Sequence, residues 1–269
     1  MNIISFFNKN NKFKISSIFR MLSIGILTYN APKTLENTLN SYKQTGLLDL
    51  SDDVFVVSQM SDKQAEEKAV CDSFGLRCIL MPDNGKMAWG FKAVYENAKY
   101  DHVMFLENDF IINASKKDVK IFYVNCLYFL KVQNADIVRA RSRKDPGSPN
   151  YAHMNLSHTD PAEFINDKHL SECIYWVEDP ELVYPSKISR IKPFVQNGFW
   201  KWYTSTSDSC NYTNNPYVCS KTFFEQNILP YVKFGASLEN EMHDEWRHRN
   251  FKCVFGPGLF THDRKFDGH

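Results

Sequence analysis

Four short apolar runs alternate with three stretches of helical spacing between residues 22 and 112, and this alternation fixes the class of fold. LSIGILTYN (22–30), VFVVSQ (54–59), LRCILMP (76–82) and HVMFLEND (102–109) each read as a strand. Continuous apolar runs, rather than strict alternation, mark strands covered on both faces. Pro32 stands where a helix can begin, and Leu35, Leu39 and Tyr42 recur at helical spacing. Ser61 or Asp62 is expected to cap a second helix, with Ala65, Ala69 and Val70 turned inward. Asp83-Asn84-Gly85 predicts a turn before a third helix over about 87–98. Repeated βαβ units imply an α/β architecture, a mostly parallel sheet and right-handed crossovers.

The second half is less regular. Residues 122–132 predict a helix and 135–143 a strand. Residues 144–216 show no clear period, apart from a short helix expected over 161–170. Residues 220–229 and 236–250 read as helices, and FKCVFGPGLF (251–260) as a strand and turn. No repeat or flexible linker divides the chain, so one domain of 269 residues is expected. The first 20 residues mix Lys, Asn and Phe without the apolar core of a signal peptide, and are expected to form an arm.

Composition narrows the function classes. A net charge of +1, from 32 basic and 31 acidic residues, argues against nucleic acid or a membrane surface as the dominant partner. No stretch reaches the length of a transmembrane segment. Seven cysteines without a CxxC pair suggest reduced thiols and a cytoplasmic setting. Cys210 and Cys219 flank one polar loop and would be the pair to form under oxidation. Aromatic residues make up 14% of the chain, enough to fill a core and also line a cleft.

The chemistry concentrates at strand ends. Glu107-Asn108-Asp109 closes the fourth apolar run, and its two carboxylates, one residue apart, point to the same side. Ligands of open α/β sheets bind at the carboxyl ends of the strands. Hard oxygen ligands there suit Mg²⁺ or Mn²⁺, which need only one or two protein carboxylates when a diphosphate supplies the rest. An acidic turn after a strand is the plain alternative. Arg139, Arg141 and Arg143 share one strand face, either to hold an anion or as a solvated edge. The rings of GFWKWY (198–203) suit a sugar face or the core. His102, His153, His158, His169, His243 and His248 show no ligand spacing.

These residues together resemble the GT-A fold of nucleotide-sugar-dependent glycosyltransferases, most of all family 2. The resemblance implies a Rossmann-like, mostly parallel central sheet with helices on both faces. It covers residues 22–112 well and 236–264 moderately. It makes 21–112 the nucleotide-sugar-binding half and 113–269 the acceptor-binding half of one domain. It carries nucleotide contacts over to Thr28, Tyr29, Asn30, Ser58, Asn84, Gly85, Ala88 and Asn108. It carries metal ligands over to Asp109, Glu107 and His262, and an acidic base to Glu239 or Glu241. A nitrogen ligand at His262 tilts the choice toward Mn²⁺. Arg264 and Lys265 are candidates for the diphosphate. The second strand ends in Ser58-Gln59, where the family usually carries an acid against the nucleoside.

The implied function is metal-dependent, inverting transfer of a sugar from a nucleotide diphosphate, UDP before others. The acceptor would be a hydroxyl on a glycan, protein or lipid-linked partner. Two alternatives stand beside it. A sugar-nucleotide pyrophosphorylase would need a Gly-rich phosphate loop, which TYNAPKT is not. A catalytically silent module would keep the fold to bind a glycan or a partner.

Overall fold

The computed structural model describes residues 21–147, 178–198 and 200–266. The expected N-terminal arm and the helix over 161–170 lie outside the described residues, as do His153, His158, His169, Cys173 and Phe199.

The first half forms as its periodicity predicts. Strands β1 (Leu22–Thr28), β2 (Val54–Ser58), β3 (Arg77–Leu80) and β4 (His102–Glu107) alternate with helices α1 (Pro32–Thr45), α2 (Gln64–Ser73) and α3 (Lys86–Asn97). The later elements are β5 (Phe110–Ile112), α4 (Lys116–Lys131), β6 (Ile137–Arg141), α5 (Pro180–Val183), β7 (Ser189–Ile191), β8 (Trp202–Thr206), β9 (Tyr217–Ser220), α6 (Lys221–Asn227), α7 (Leu238–Arg247) and β10 (Lys252–His262). One sheet runs in the order β3-β2-β1-β4-β9-β6-β10-β8-β7, with β5 added on β10.

β1 to β4 are mutually parallel, and β6 is parallel to β10. β9 lies antiparallel between β4 and β6. The carboxyl ends of β1, β2, β4, β6 and β10 therefore share one edge of the sheet. β1 has β2 on one side and β4 on the other, so the strand order reverses between β1 and β4. That reversal opens a crevice.

Both faces are covered. Val103 and Phe105 of β4 face α3, α6 and α7, while Met104 and Leu106 face α1 and α4. Two glycines bring α3 close to β1. A Cβ on Gly25 would lie 2.3 Å from Val94 Cγ1, and one on Gly90 would lie 2.4 Å from Leu27 Cδ1.

Several expectations change. α2 is rotated from its expected phase: Ala65 and Ala69 are exposed and Val70 is half-buried, while Glu67 and Cys71 point inward. Its N-cap is Lys63, without a side-chain cap bond, so neither Ser61 nor Asp62 sets the phase. β6 is an interior strand, and Arg139 and Arg141 are buried, which removes the solvated-edge reading. Two strands, β7 and β8, occupy part of the stretch that shows no period. Trp202 stacks on Phe122 in the core and Tyr203 is buried, while Trp200 lines a cavity of about 670 Å³. Cys210 and Cys219 are separately buried free thiols. Among the described residues no helix is long and apolar enough to cross a membrane.

Candidate active site

The site is assembled by strand register. Leu27 of β1 is opposite Glu107 of β4, and Asn108 N–H donates to Leu27 O at 3.0 Å. The chain then turns, and β5 runs antiparallel to β10 with Phe110 opposite His262. This pairing brings Asp109 to His262, 153 positions away, with Oδ2 and Nε2 2.7 Å apart. Arg264 Nε lies 3.1 Å from the same His262 Nε2.

The ring and backbone of His262 are both held. The Phe110 ring stacks on it with centroids 4.7 Å apart. His262 N–H donates to Pro146 O at 3.2 Å, and Asp263 N–H donates to Asp109 O at 2.7 Å. Gly147 packs against the His262 backbone with φ +73°, where a Cβ would fall 2.0 Å from His262 O. Only glycine meets both demands there.

The two carboxylates of the acidic triplet are driven apart in charge. Burial opposes ionisation of Asp109. The hydrogen bond from His262, the charge on His262 and the Arg264 guanidinium outweigh that burial and hold the carboxyl below its usual range. Arg264 Nε donates to Asp109 Oδ2 at 3.2 Å. Burial, followed by the Asp109 and Glu239 carboxylates, pushes Glu107 well above its usual range. Paired sites with opposed shifts are characteristic of functional centres.

A stability test follows. A carboxyl whose folded pKa is raised makes its full contribution below its unfolded value, near 4.5. That contribution is lost as pH rises toward the folded value. Glu107→Gln stays neutral, so it is expected to raise the melting temperature at pH 8 by at least about 2–4 °C, roughly 1 kcal/mol in a domain near this size. At pH 4.5 the gain should vanish. Equal shifts at both pH values in thermal unfolding would show that Glu107 ionises freely.

Glu239, in the first turn of α7, is half-buried and accepts a hydrogen bond from Asn214 N–H at 2.7 Å. Its charge adds to the upward push on Glu107. Glu241 is two residues further along the helix and pairs with Lys233 instead. The structure thus separates the two candidate bases by direction.

The candidate nucleotide contacts divide into three groups. Thr28 and Ser58, opposite each other in register, are buried and donate to Glu67 at 2.8 and 2.5 Å. Ala31 N–H adds a third bond to the same carboxylate at 2.9 Å. Glu67, 0% exposed, therefore organises the turn after β1. A carboxylate does stand at the end of β2, but α2 supplies it. The signal was legible: two hydroxyls end neighbouring strands, and an acid lies on the helix that follows.

Tyr29, Asn30, Asn84 and Asn108 stand at the carboxyl edge. The Tyr29 ring is 45% exposed, and Asn30 is left-handed at φ +54°. Asn84 is exposed, and its Oδ1 accepts from the N–H of Lys86, itself at φ +60°. Left-handed non-glycine residues cluster at functional sites.

Gly85 and Ala88 are small for packing reasons. A Cβ on Gly85 would lie 2.4 Å from the Trp89 side chain, and Ala88 is fully buried against the sheet. Gln59 Oε1, Asn108 Nδ2, Asn214 Oδ1 and His262 Nδ1 are buried without hydrogen-bond partners. Orphaned polar atoms of this kind suit a polar ligand.

A divalent cation fits one part of the expected ligand set. Among the described residues no three His, Cys, Asp or Glu side chains gather into a metal cage, so Glu107 does not join Asp109 and His262. The pair offers one oxygen and one nitrogen to a cation, which would take the place that Arg264 Nε holds against both atoms, at 3.2 and 3.1 Å. Adjacent ligands of an octahedral ion with bonds of ~2.1 Å lie about 3 Å apart, close to the 2.7 Å between Asp109 and His262.

Comparison with known proteins agrees with the fold. Residues 23–118, from β1 into α4, match the family model described as glycosyl transferase family 2. No curated protein matches the sequence. Among solved structures, glucosyl-3-phosphoglycerate synthase from Mycobacterium tuberculosis, in complex with Mn²⁺, UDP-glucose and phosphoglyceric acid, is similar at a TM-score of 0.50 and 14% identity. That match covers 95% of this chain and 78% of the other. The same enzyme with Mg²⁺ and UDP matches at a TM-score of 0.51 and 14% identity, covering 95% and 78%. At such identity the likeness establishes a shared GT-A fold.

Proposed function

From a chain whose residues 23–118 are of the glycosyl transferase family 2 type, on a GT-A framework, we propose a metal-dependent, inverting transferase that moves a sugar from a UDP-type donor to a hydroxyl acceptor. The observation that carries this reading is the meeting of Asp109 and His262 at the sheet's switch point.

Tyr29, Asn30, Asn84 and Asn108 hold the nucleotide over the ends of β1, β3 and β4. Asp109 and His262 hold Mn²⁺ or Mg²⁺, with Arg264 beside them for the diphosphate. The cation, when bound, neutralises charge on the leaving diphosphate. Glu239 accepts the acceptor hydroxyl proton. The freed oxygen attacks the anomeric carbon, the bond to the diphosphate oxygen breaks, and the nucleoside diphosphate leaves with that electron pair. Attack opposite the leaving group inverts the centre. The structures of the mycobacterial synthase, which contain UDP-glucose with Mn²⁺ and phosphoglyceric acid, support this donor class and a small hydroxylated acceptor.

Titration calorimetry of UDP with and without MnCl₂ tests the reading. Binding at least about tenfold tighter with Mn²⁺ is expected, and ligand at 100 times its Kd should stabilise the fold by roughly 2.7 kcal/mol. Equal affinity with and without the metal would remove the proposed cation site.

A further inference from the structure

We infer that Arg139 is a positioning residue for Glu239, acting through the loop of residues 211–215. This inference rests on the reading of Glu239 as proton acceptor.

Arg139 is on interior strand β6 and is 2% exposed. Its two terminal nitrogens donate to Thr213 O at 2.9 Å and Asn211 O at 3.1 Å. The guanidinium also lies over the rings of Tyr212, Tyr217 and Trp246, 5.7–6.0 Å from their centroids. A buried cation is costly unless it is hydrogen-bonded, and here its bonds go to two carbonyls of one loop. The planar fork of arginine suits that double grip, whereas a lysine ammonium is a point charge.

The loop in turn reaches α7 near both ends. Asn214 N–H donates to Glu239 Oε1 in the first turn, and Arg247, in the last turn, donates to Asn211 Oδ1 at 3.0 Å. Arg141, two residues along β6, donates to Asn215 Oδ1 at 3.0 Å and to Pro146 O at 2.8 Å. Pro146 O also accepts from His262 N–H. The β6 arginines thus tie the base side of the crevice to the Asp109–His262 side.

Glu239 needs such a hold. A glutamate has several rotors, and Glu241 in the same helix turn swings out to Lys233. A general base acts only within hydrogen-bond reach of its proton, and small misplacements are costly. A fixed N–H on one carboxylate oxygen selects the productive rotamer and leaves the other oxygen for the acceptor.

Arg139→Lys and Arg139→Gln test this by amide hydrogen exchange, UDP calorimetry with MnCl₂, and turnover of UDP-glucose with transfer to water included. Exchange at the Asn214 amide should speed up by about tenfold or more, while the Asn108 amide, bound to Leu27 O, should not change. UDP affinity should stay within about twofold and turnover should fall by about tenfold or more. In the Glu239→Gln background, Arg139→Lys should change turnover less than about twofold, since both act on one unit. Unchanged exchange at Asn214, additive losses, or unfolding of both variants would each overturn the inference. Wild-type turnover in Glu239→Gln alone would instead remove the underlying reading of the base.

Discussion

Glu239→Gln is expected to lower sugar transfer by about 10²–10⁴, the usual contribution of a positioned general base. UDP affinity in MnCl₂ should barely change, because the proton is accepted only as the acceptor attacks. The substitution keeps the shape of the side chain, and its amide oxygen can still accept from Asn214 N–H. What disappears is a carboxylate beside Glu107. Glu241→Gln should have little effect, since that side chain is paired with Lys233 on the other side of the helix. Steady-state rates and calorimetry on both variants decide the matter. Full activity in Glu239→Gln with loss in Glu241→Gln would reverse the assignment. Full activity in both would show that another group takes the proton.

Asp109→Asn is expected to abolish the Mn²⁺-dependent part of UDP binding, weakening it by about 10² or more. Asp109 is held ionised by His262 and Arg264. It supplies the negative charge of the proposed site, and His262 supplies a nitrogen. Asparagine keeps one oxygen in place but removes the charge that a hard cation requires. His262→Ala should weaken Mn²⁺-dependent binding less, because the charged ligand Asp109 remains. Affinity measured without metal should be similar in all three proteins. Mn²⁺ enhancement that survives Asp109→Asn intact would make the Asp109–His262 pair a structural tie.

The parallel half of the fold is encoded in local pattern. Apolar runs at 22–30, 54–59 and 102–107 encode strands buried on both faces, and the spacing in α1 and α3 encodes helices, because these signals are local. The placement of Glu107 and Asp109 after the fourth strand was legible for the same reason. Tertiary structure decided the rest. Sequence spacing does not say that Asp109 touches His262, because that contact depends on β5 folding back along β10. The phase of α2 is not legible because a buried glutamate is exceptional in isolation; the Thr28 and Ser58 hydroxyls and the Ala31 N–H make Glu67 acceptable inside. Arg139 could not be told from a solvated edge until β9 and β10 flanked its strand. Glu239 and Glu241 look alike in the sequence; one faces Asn214 and the other Lys233 because residues two apart on a helix project about 200° apart. Local pattern selects the elements, and long-range register selects which side chains meet.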